Sequence, residues 1–146
     1  MNRLLKLAAA TAIVLALAAG AAFAATVLGT SGNDTLKGTN SADLMRGRGG
    51  HDTISGFYGG DTIYGGEGND VIKGGHSADK IYGGSGRDTI DGGPGKDFIN
   101  VAGDGRADSV SCGTSNDTAI VDAADVGNQS FEDFVRLSSC ENVQVR

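Results

Sequence analysis

Residues 65–91 read GGEGNDVIK GGHSADKIY GGSGRDTID, three blocks of nine in which the first residue is Gly, the sixth Asp and the eighth Ile. The register extends both ways from this stretch. Upstream lie GTSGNDTLK, GTNSADLMR, GRGGHDTIS and GFYGGDTIY, starting at Gly29, and downstream GGPGKDFIN ends at Asn100. Position one is Gly29, Gly38, Gly47, Gly56, Gly65, Gly74, Gly83 and Gly92. Position six is Asp34, Asp43, Asp52, Asp61, Asp70, Asp79, Asp88 and Asp97. Two residues after each aspartate stands one large apolar side chain: Leu36, Met45, Ile54, Ile63, Ile72, Ile81, Ile90 and Ile99. A flexible Gly-rich linker has no reason to phase an acid and an apolar residue together, so the period is structural.

The first six residues of each block, rich in Gly with Asn or Asp, favour a tight turn, and the last three, such as Thr53-Ile54-Ser55, favour a short strand. Strand alternation sends position eight inward and positions seven and nine outward. If each nine-residue block reverses the chain, two blocks complete one coil, and residues eighteen apart stack at the ~4.8 Å strand spacing. Asp34, Asp52, Asp70 and Asp88 then form a ladder on one side, and Asp43, Asp61, Asp79 and Asp97 on the other. Tyr64 and Tyr82, eighteen apart at position nine, are expected to stack. The expected fold is all-β, a right-handed parallel β-roll over residues 25–120 with a non-repeat cap over residues 121–146.

GGEGNDVIK and GGSGRDTID resemble the RTX (repeats-in-toxin) nonapeptide GG-x-G-x-D-apolar-x at every defined position. That resemblance implies a calcium-loaded parallel β-roll. The candidate metal ligands are the eight position-six aspartate side chains and the backbone carbonyls of Gly65, Gly66, Gly68, Gly83, Gly84 and Gly86. Electrostatics points the same way, since carboxylates ~5 Å apart repel by about 0.8 kcal/mol per pair even at water's dielectric, so the ladder calls for a cation. Carboxylates combined with carbonyl oxygens make a hard, flexible oxygen site, which suits Ca²⁺ better than Mg²⁺ or Zn²⁺. The first ladder keeps Gly at position four (Gly32, Gly50, Gly68, Gly86). The second carries Ser41 and Ser77 there, and puts Phe57 and Tyr58 where a small residue is normal, so weaker ion binding is expected on that side. His51 and His76 fall on opposite ladders and read as solvated loop residues rather than a zinc pair.

After Asn100 the period slips by two residues, and GDGRADSVS and CGTSNDTAI then recover Asp108 with Val110 and Asp117 with Ala119. Arg106 replaces the position-four glycine in the first of these, which argues against metal there. Beyond Ile120 the glycines stop and Phe131, Phe134, Val135, Leu137, Val143 and Val145 appear, as expected of a cap over the last rung. Cys112 and Cys140 both lie in the part expected to be exported, so a disulfide joining cap and roll is expected.

Arg3 and Lys6, an uncharged run from Leu7 to Ala19, and Ala22-Phe23-Ala24 describe a cleavable signal peptide over residues 1–24; an uncleaved anchor is the other reading. Cleavage would leave a secreted protein with no membrane contact. The chain holds 12 basic and 18 acidic residues, a net charge of −6, and losing Arg3 and Lys6 makes it more negative. That balance argues against nucleic acid and anionic lipid and leaves calcium ions as the expected partners. With no HExxH, GxSxG or Cys/His pairing, the chain does not read as an enzyme. The expected function is calcium binding by a non-catalytic extracellular structural or surface module. The alternatives are an auxiliary or remnant module of a secreted hydrolase, or an ice-binding roll. Against the last, position three reads Ser, Asn, Gly, Tyr, Glu, His, Ser, Pro and offers no repeated lattice.

Overall fold

Each block supplies one strand, because its β-branched and apolar residues at positions seven and eight leave a glycine-rich turn for the next block's start. The structure, a computed structural model, describes residues 24–122 and 137–146. The signal segment up to Phe23, and Phe131, Phe134 and Val135 of the expected cap, lie outside the described residues. The strands are β1 (Thr26–Leu28), β2 (Thr35–Lys37), β3 (Leu44–Gly49), β4 (Thr53–Phe57), β5 (Thr62–Glu67), β6 (Val71–Gly75) and β7 (Lys80–Ser85). They continue with β8 (Thr89–Asp91), β9 (Phe98–Asn100), β10 (Ser109–Ser111), β11 (Thr118–Val121), β12 (Leu137–Ser138) and β13 (Asn142–Val145).

Odd and even strands separate into two sheets. One runs β1-β3-β5-β7-β9-β11-β13 and the other β12-β10-β8-β6-β4-β2, with every pair parallel. Partners are eighteen apart through the repeats, as in Leu36 beside Ile54 and Ile54 beside Ile72. The fold is therefore a parallel β-roll, as the period predicts. The two-residue slip falls in the turn after β9: Ser109 pairs with Thr89 and Thr118 with Phe98, each twenty residues apart, so the insertion is absorbed without disturbing either sheet.

One apolar residue per strand fills the space between the sheets. Val27, Leu36, Met45, Ile54, Ile63, Ile72, Ile81, Ile90, Ile99, Val110 and Ala119 are all buried. The strands run further than position nine, however. β3, β5 and β7 have six residues and continue through position three of the next block, because inward-outward alternation persists and brings position one inside as well. Outside, Arg46 lies 5.2 Å from the Tyr64 ring centre and Tyr64 stacks on Tyr82 at 4.8 Å, whereas the other sheet presents Ser55, Lys73 and Asp91 in register.

The C-terminal strands continue the roll. β12 and β13, from the region expected to be the cap, extend each sheet by one strand. Cys112 occupies an inward position one and is disulfide-bonded to Cys140, with Cα atoms 5.0 Å apart. In the chain-entropy account, closing this loop stabilises the fold by about 3.5 kcal/mol.

The alternation gives a direct test on neighbouring residues. Ile72 is fully buried and Val71 is 41% exposed. Denaturant unfolding of the calcium-loaded protein should show a loss of about 3 kcal/mol for Ile72→Ala and under about 1 kcal/mol for Val71→Ala. Equal losses would contradict the register.

Candidate metal centre

The position-six aspartate closes each turn, and its backbone N–H reaches across to the next aspartate on the same side. On one side Asp34 donates to Oδ1 of Asp52 (2.8 Å), Asp52 to Asp70 (2.8 Å) and Asp70 to Asp88 (2.9 Å). On the other, Asp43 donates to Asp61 (2.8 Å), Asp61 to Asp79 (2.7 Å), Asp79 to Asp97 (2.9 Å) and Asp97 to Asp117 (2.8 Å). Oδ1 is thus satisfied in every aspartate that accepts such a bond, whereas Oδ1 of Asp34, at the start of its ladder, is buried without a partner. Oδ2 of Asp52, Asp61, Asp70, Asp79, Asp97 and Asp117 is buried with no hydrogen-bond partner. A buried carboxylate oxygen in that state is costly unless a cation or a proton accompanies it.

The electrostatics follow. Burial pushes the carboxyl groups of Asp61, Asp70 and Asp97 up to about 6 and that of Asp79 up to about 7, only partly offset by the backbone N–H each accepts. Neighbouring carboxylates on the ladder add to the rise. Asp52 and Asp117 are raised for the same first cause, burial.

The glycines answer to two different constraints. Position-one glycines have ordinary φ, but a Cβ on Gly74 would sit 2.6 Å from Oδ2 of Asp79 and 2.7 Å from the carbonyl oxygen of Gly92. Two oxygens converge on a space that only glycine leaves open. Positions two and four, by contrast, are left-handed, as at Gly66 (φ 118°) and Gly68 (φ 119°), and these turns stack backbone on backbone. A Cβ on Gly86 would come 2.6 Å from the carbonyl carbon of Gly68. Carboxylate oxygens and glycine carbonyls therefore line each stack of turns. Among the described residues no three His, Cys, Asp or Glu side chains converge, so a metal must draw on those carbonyls.

The substitutions at Phe57 and Ser77 on the second side leave its turn conformation unchanged. Ser77 (φ 86°) and Phe57 (φ 79°) adopt the same left-handed turn conformation as the glycines they replace. The second ladder keeps its form, and the most strongly raised carboxyl, Asp79, lies on it. The first two turns differ at both positions, and Gly95 departs at position four alone. Neither Thr30, Gly32, Thr39 nor Ser41 is left-handed. Instead the Thr30 N–H (2.5 Å) and Oγ1 (2.9 Å) contact Oδ2 of Asp34. The Thr39 N–H donates to Oδ2 of Asp43 (2.5 Å) and its hydroxyl to Oδ1 (3.1 Å). A threonine supplies donors where later turns leave the oxygen bare.

Sequence reasoning missed two further residues. The Asp117 N–H donates to Oε2 of Glu141 (2.8 Å), so Glu141 takes the aspartate's place at the end of the ladder, with β13 following it as a strand follows every position six. The sequence signal is a carboxylate followed by alternating residues in ENVQV. His51 accepts the Asn69 N–H at Nδ1 (2.8 Å), within a position-five row where Asn33 accepts from His51 (2.7 Å) and Asn69 from Arg87 (2.8 Å). It is a solvent-exposed rung of a second ladder.

Two parallel sheets whose turns stack carboxylates over glycine carbonyls define the class as a metal-binding β-roll. The model of the RTX calcium-binding nonapeptide repeat (4 copies) matches residues 28–56, 55–90 and 77–105, more than half of the chain, and the chain belongs to that family. Its repeats bind Ca²⁺. No curated protein matches the chain.

The carboxyl shifts set a pH dependence for the metal-free chain. Folded-state values of about 6 to 7 lie above the ordinary 3.8, so protonation favours the fold. That stabilisation is fully present below about pH 3.8 and is lost as pH rises through about 6 to 7. In chelator, far-UV circular dichroism should therefore gain β signal as pH falls from 7 to 4. A signal that is flat or shrinks over that window would refute the assignment.

Proposed function

We propose that this protein is an exported, non-catalytic structural or surface module whose roll folds on calcium. The proposed ligands are the side chains of Asp52, Asp70 and Asp88 on one side and Asp61, Asp79 and Asp97 on the other. The carbonyls of Gly65, Gly66, Gly68, Gly83, Gly84 and Gly86 complete them in the central turns. Asp34 and Asp43, expected from the period alone to be ligands, are here assigned to threonine-closed turns in which Oδ2 already has donors. The observation that carries this reading is the buried, unpartnered Oδ2 recurring at Asp52, Asp61, Asp70, Asp79 and Asp97, beside glycines that hold the space open.

Calcium, when bound, supplies the charge that these oxygens lack. The chain's own residues fix where it goes: the N–H to Oδ1 bond orients each carboxylate, the inward glycine clears its approach, and the left-handed turns present carbonyls. At calcium tenfold above a site's dissociation constant, each ion adds about 1.4 kcal/mol to the fold. One apolar residue in nine gives little burial to offset the backbone entropy, so such increments decide whether the roll forms. Export is supported by the reading of residues 1–24 as a signal and by the disulfide, which persists in oxidising compartments.

Far-UV circular dichroism at neutral pH should show a largely disordered chain in chelator and a β-rich one in millimolar calcium. Identical spectra would sink the folding-switch reading. Calorimetric titration should then rank the sites: Asp70→Asn and Asp79→Asn each lose bound calcium to a similar extent, while Asp34→Asn retains the wild-type number of ions. A loss in Asp34→Asn as large as in Asp70→Asn would remove the role given to Thr30.

A further inference from the structure

We propose that the outer groove beside the Phe57-Tyr58 turn binds a pyranose ring of a neutral polysaccharide. The starting observation is a pair of adjacent aromatic side chains, Phe57 and Tyr58, turned to solvent from a left-handed turn. Phe57 sits at position two with φ 79°, in the left-handed region that a bulky L residue seldom enters. Arg48 takes the same conformation one block earlier (φ 82°), while Gly66, Gly75, Gly84 and Gly93 fill the position in later blocks without strain, so Phe57 is the one aromatic placed there. The Phe57 side chain does not reward the roll by burial, being 42% exposed, and its neighbour Tyr58 is 53% exposed. Backbone strain that presents an aromatic to solvent marks a candidate binding site.

What surrounds Phe57 is a groove of about 290 Å³. That size is near the lower end of ligand sites, ~300–1,000 Å³, and fits a ring-sized group. Its apolar wall is Phe57, Tyr58 and Pro94, with His76 stacked on Tyr58 at 4.7 Å and 7° between planes. Its floor is Gly75 and Gly93, the residues that follow Phe57 eighteen and thirty-six positions on, so no side chain from those rungs fills the groove in that column. The facing wall is the in-register row Ser55, Lys73 and Asp91 on the outer face of the even-stranded sheet.

The two walls ask for different chemistry from one ligand. Aromatic and proline surfaces take a flat array of C–H groups. Lys73 only donates, ionised Asp91 only accepts and Ser55 does both, which matches a rim of hydroxyls. Opposite charges side by side recognise neither a polyanion nor a polycation, and the protein's negative charge disfavours the former further. A neutral pyranose carries both features, an apolar face and a hydroxyl rim. This inference is independent of which aspartates hold calcium.

The test uses the calcium-loaded full chain and four probes: maltohexaose, cellohexaose, mannohexaose and chitohexaose. Amide NMR titration should show saturable shifts at residues 55–58, 73–76 and 91–94 with at least one of them. Phe57→Gly and Tyr58→Ala should each weaken that binding at least tenfold. Phe57→Gly should also keep or raise the thermal midpoint, because glycine relieves the left-handed strain. Failure of all four probes, undiminished binding in both variants, or a lowered midpoint in Phe57→Gly would each overturn the proposal. Circular dichroism with and without calcium on the same samples reads the folding switch separately.

Discussion

The bond from one aspartate's backbone N–H to the next aspartate's Oδ1 governs this molecule. It fixes eighteen-residue neighbours in parallel register, turn over turn, from Asp34 to Asp88 on one side and from Asp43 to Asp117 on the other. The carboxylates of Asp52, Asp61, Asp70, Asp79, Asp97 and Asp117 are thereby left with a second oxygen that no donor reaches. The link that orders the roll also charges it, since it draws a row of acids out of water at strand spacing. Organisation and instability come from the same contact, and a divalent ion resolves the conflict where a hydrophobic core this thin cannot.

The ends are built differently from the middle. Thr30 and Thr39 hand backbone and hydroxyl donors to the first two aspartates, and Glu141 receives the last N–H of the ladder beside a disulfide that holds its strand in place. The chain supplies side-chain partners of its own where the stack begins and where it stops. Between those ends, turns with glycine at positions two and four give up side-chain donors and leave carbonyls in their place.

Position six, position eight and the two-sheet coil were legible because they repeat, and repetition survives any local irregularity: Asp52 and Ile54 are buried where the period puts them. Position one was legible as glycine but not for the right reason. Its φ is ordinary, and the demand on it comes from the aspartate Oδ2 five residues on together with a carbonyl oxygen of the next coil, which no local turn preference encodes. The Phe57 and Ser77 turns keep the left-handed conformation of the glycine turns, which sequence identity did not reveal. A left-handed residue can be non-glycine when stacked neighbours over-determine the backbone, so identity at those positions does not rank the turns. Thr30, Glu141 and His51 escaped because each acts once, through a partner that only the coiled chain brings near.

Because one coil takes two blocks, the roll has a parity. Removing a single nonapeptide would leave every aspartate and isoleucine in phase yet exchange the faces of all that follows, so that a residue such as Tyr82 would leave the Tyr64 stack for the sheet of Ser55, Lys73 and Asp91. Removing two blocks would shorten the roll and keep its faces. Length in this architecture is therefore inherited in steps of eighteen, and its two surfaces can diverge in character while the interior stays monotonous.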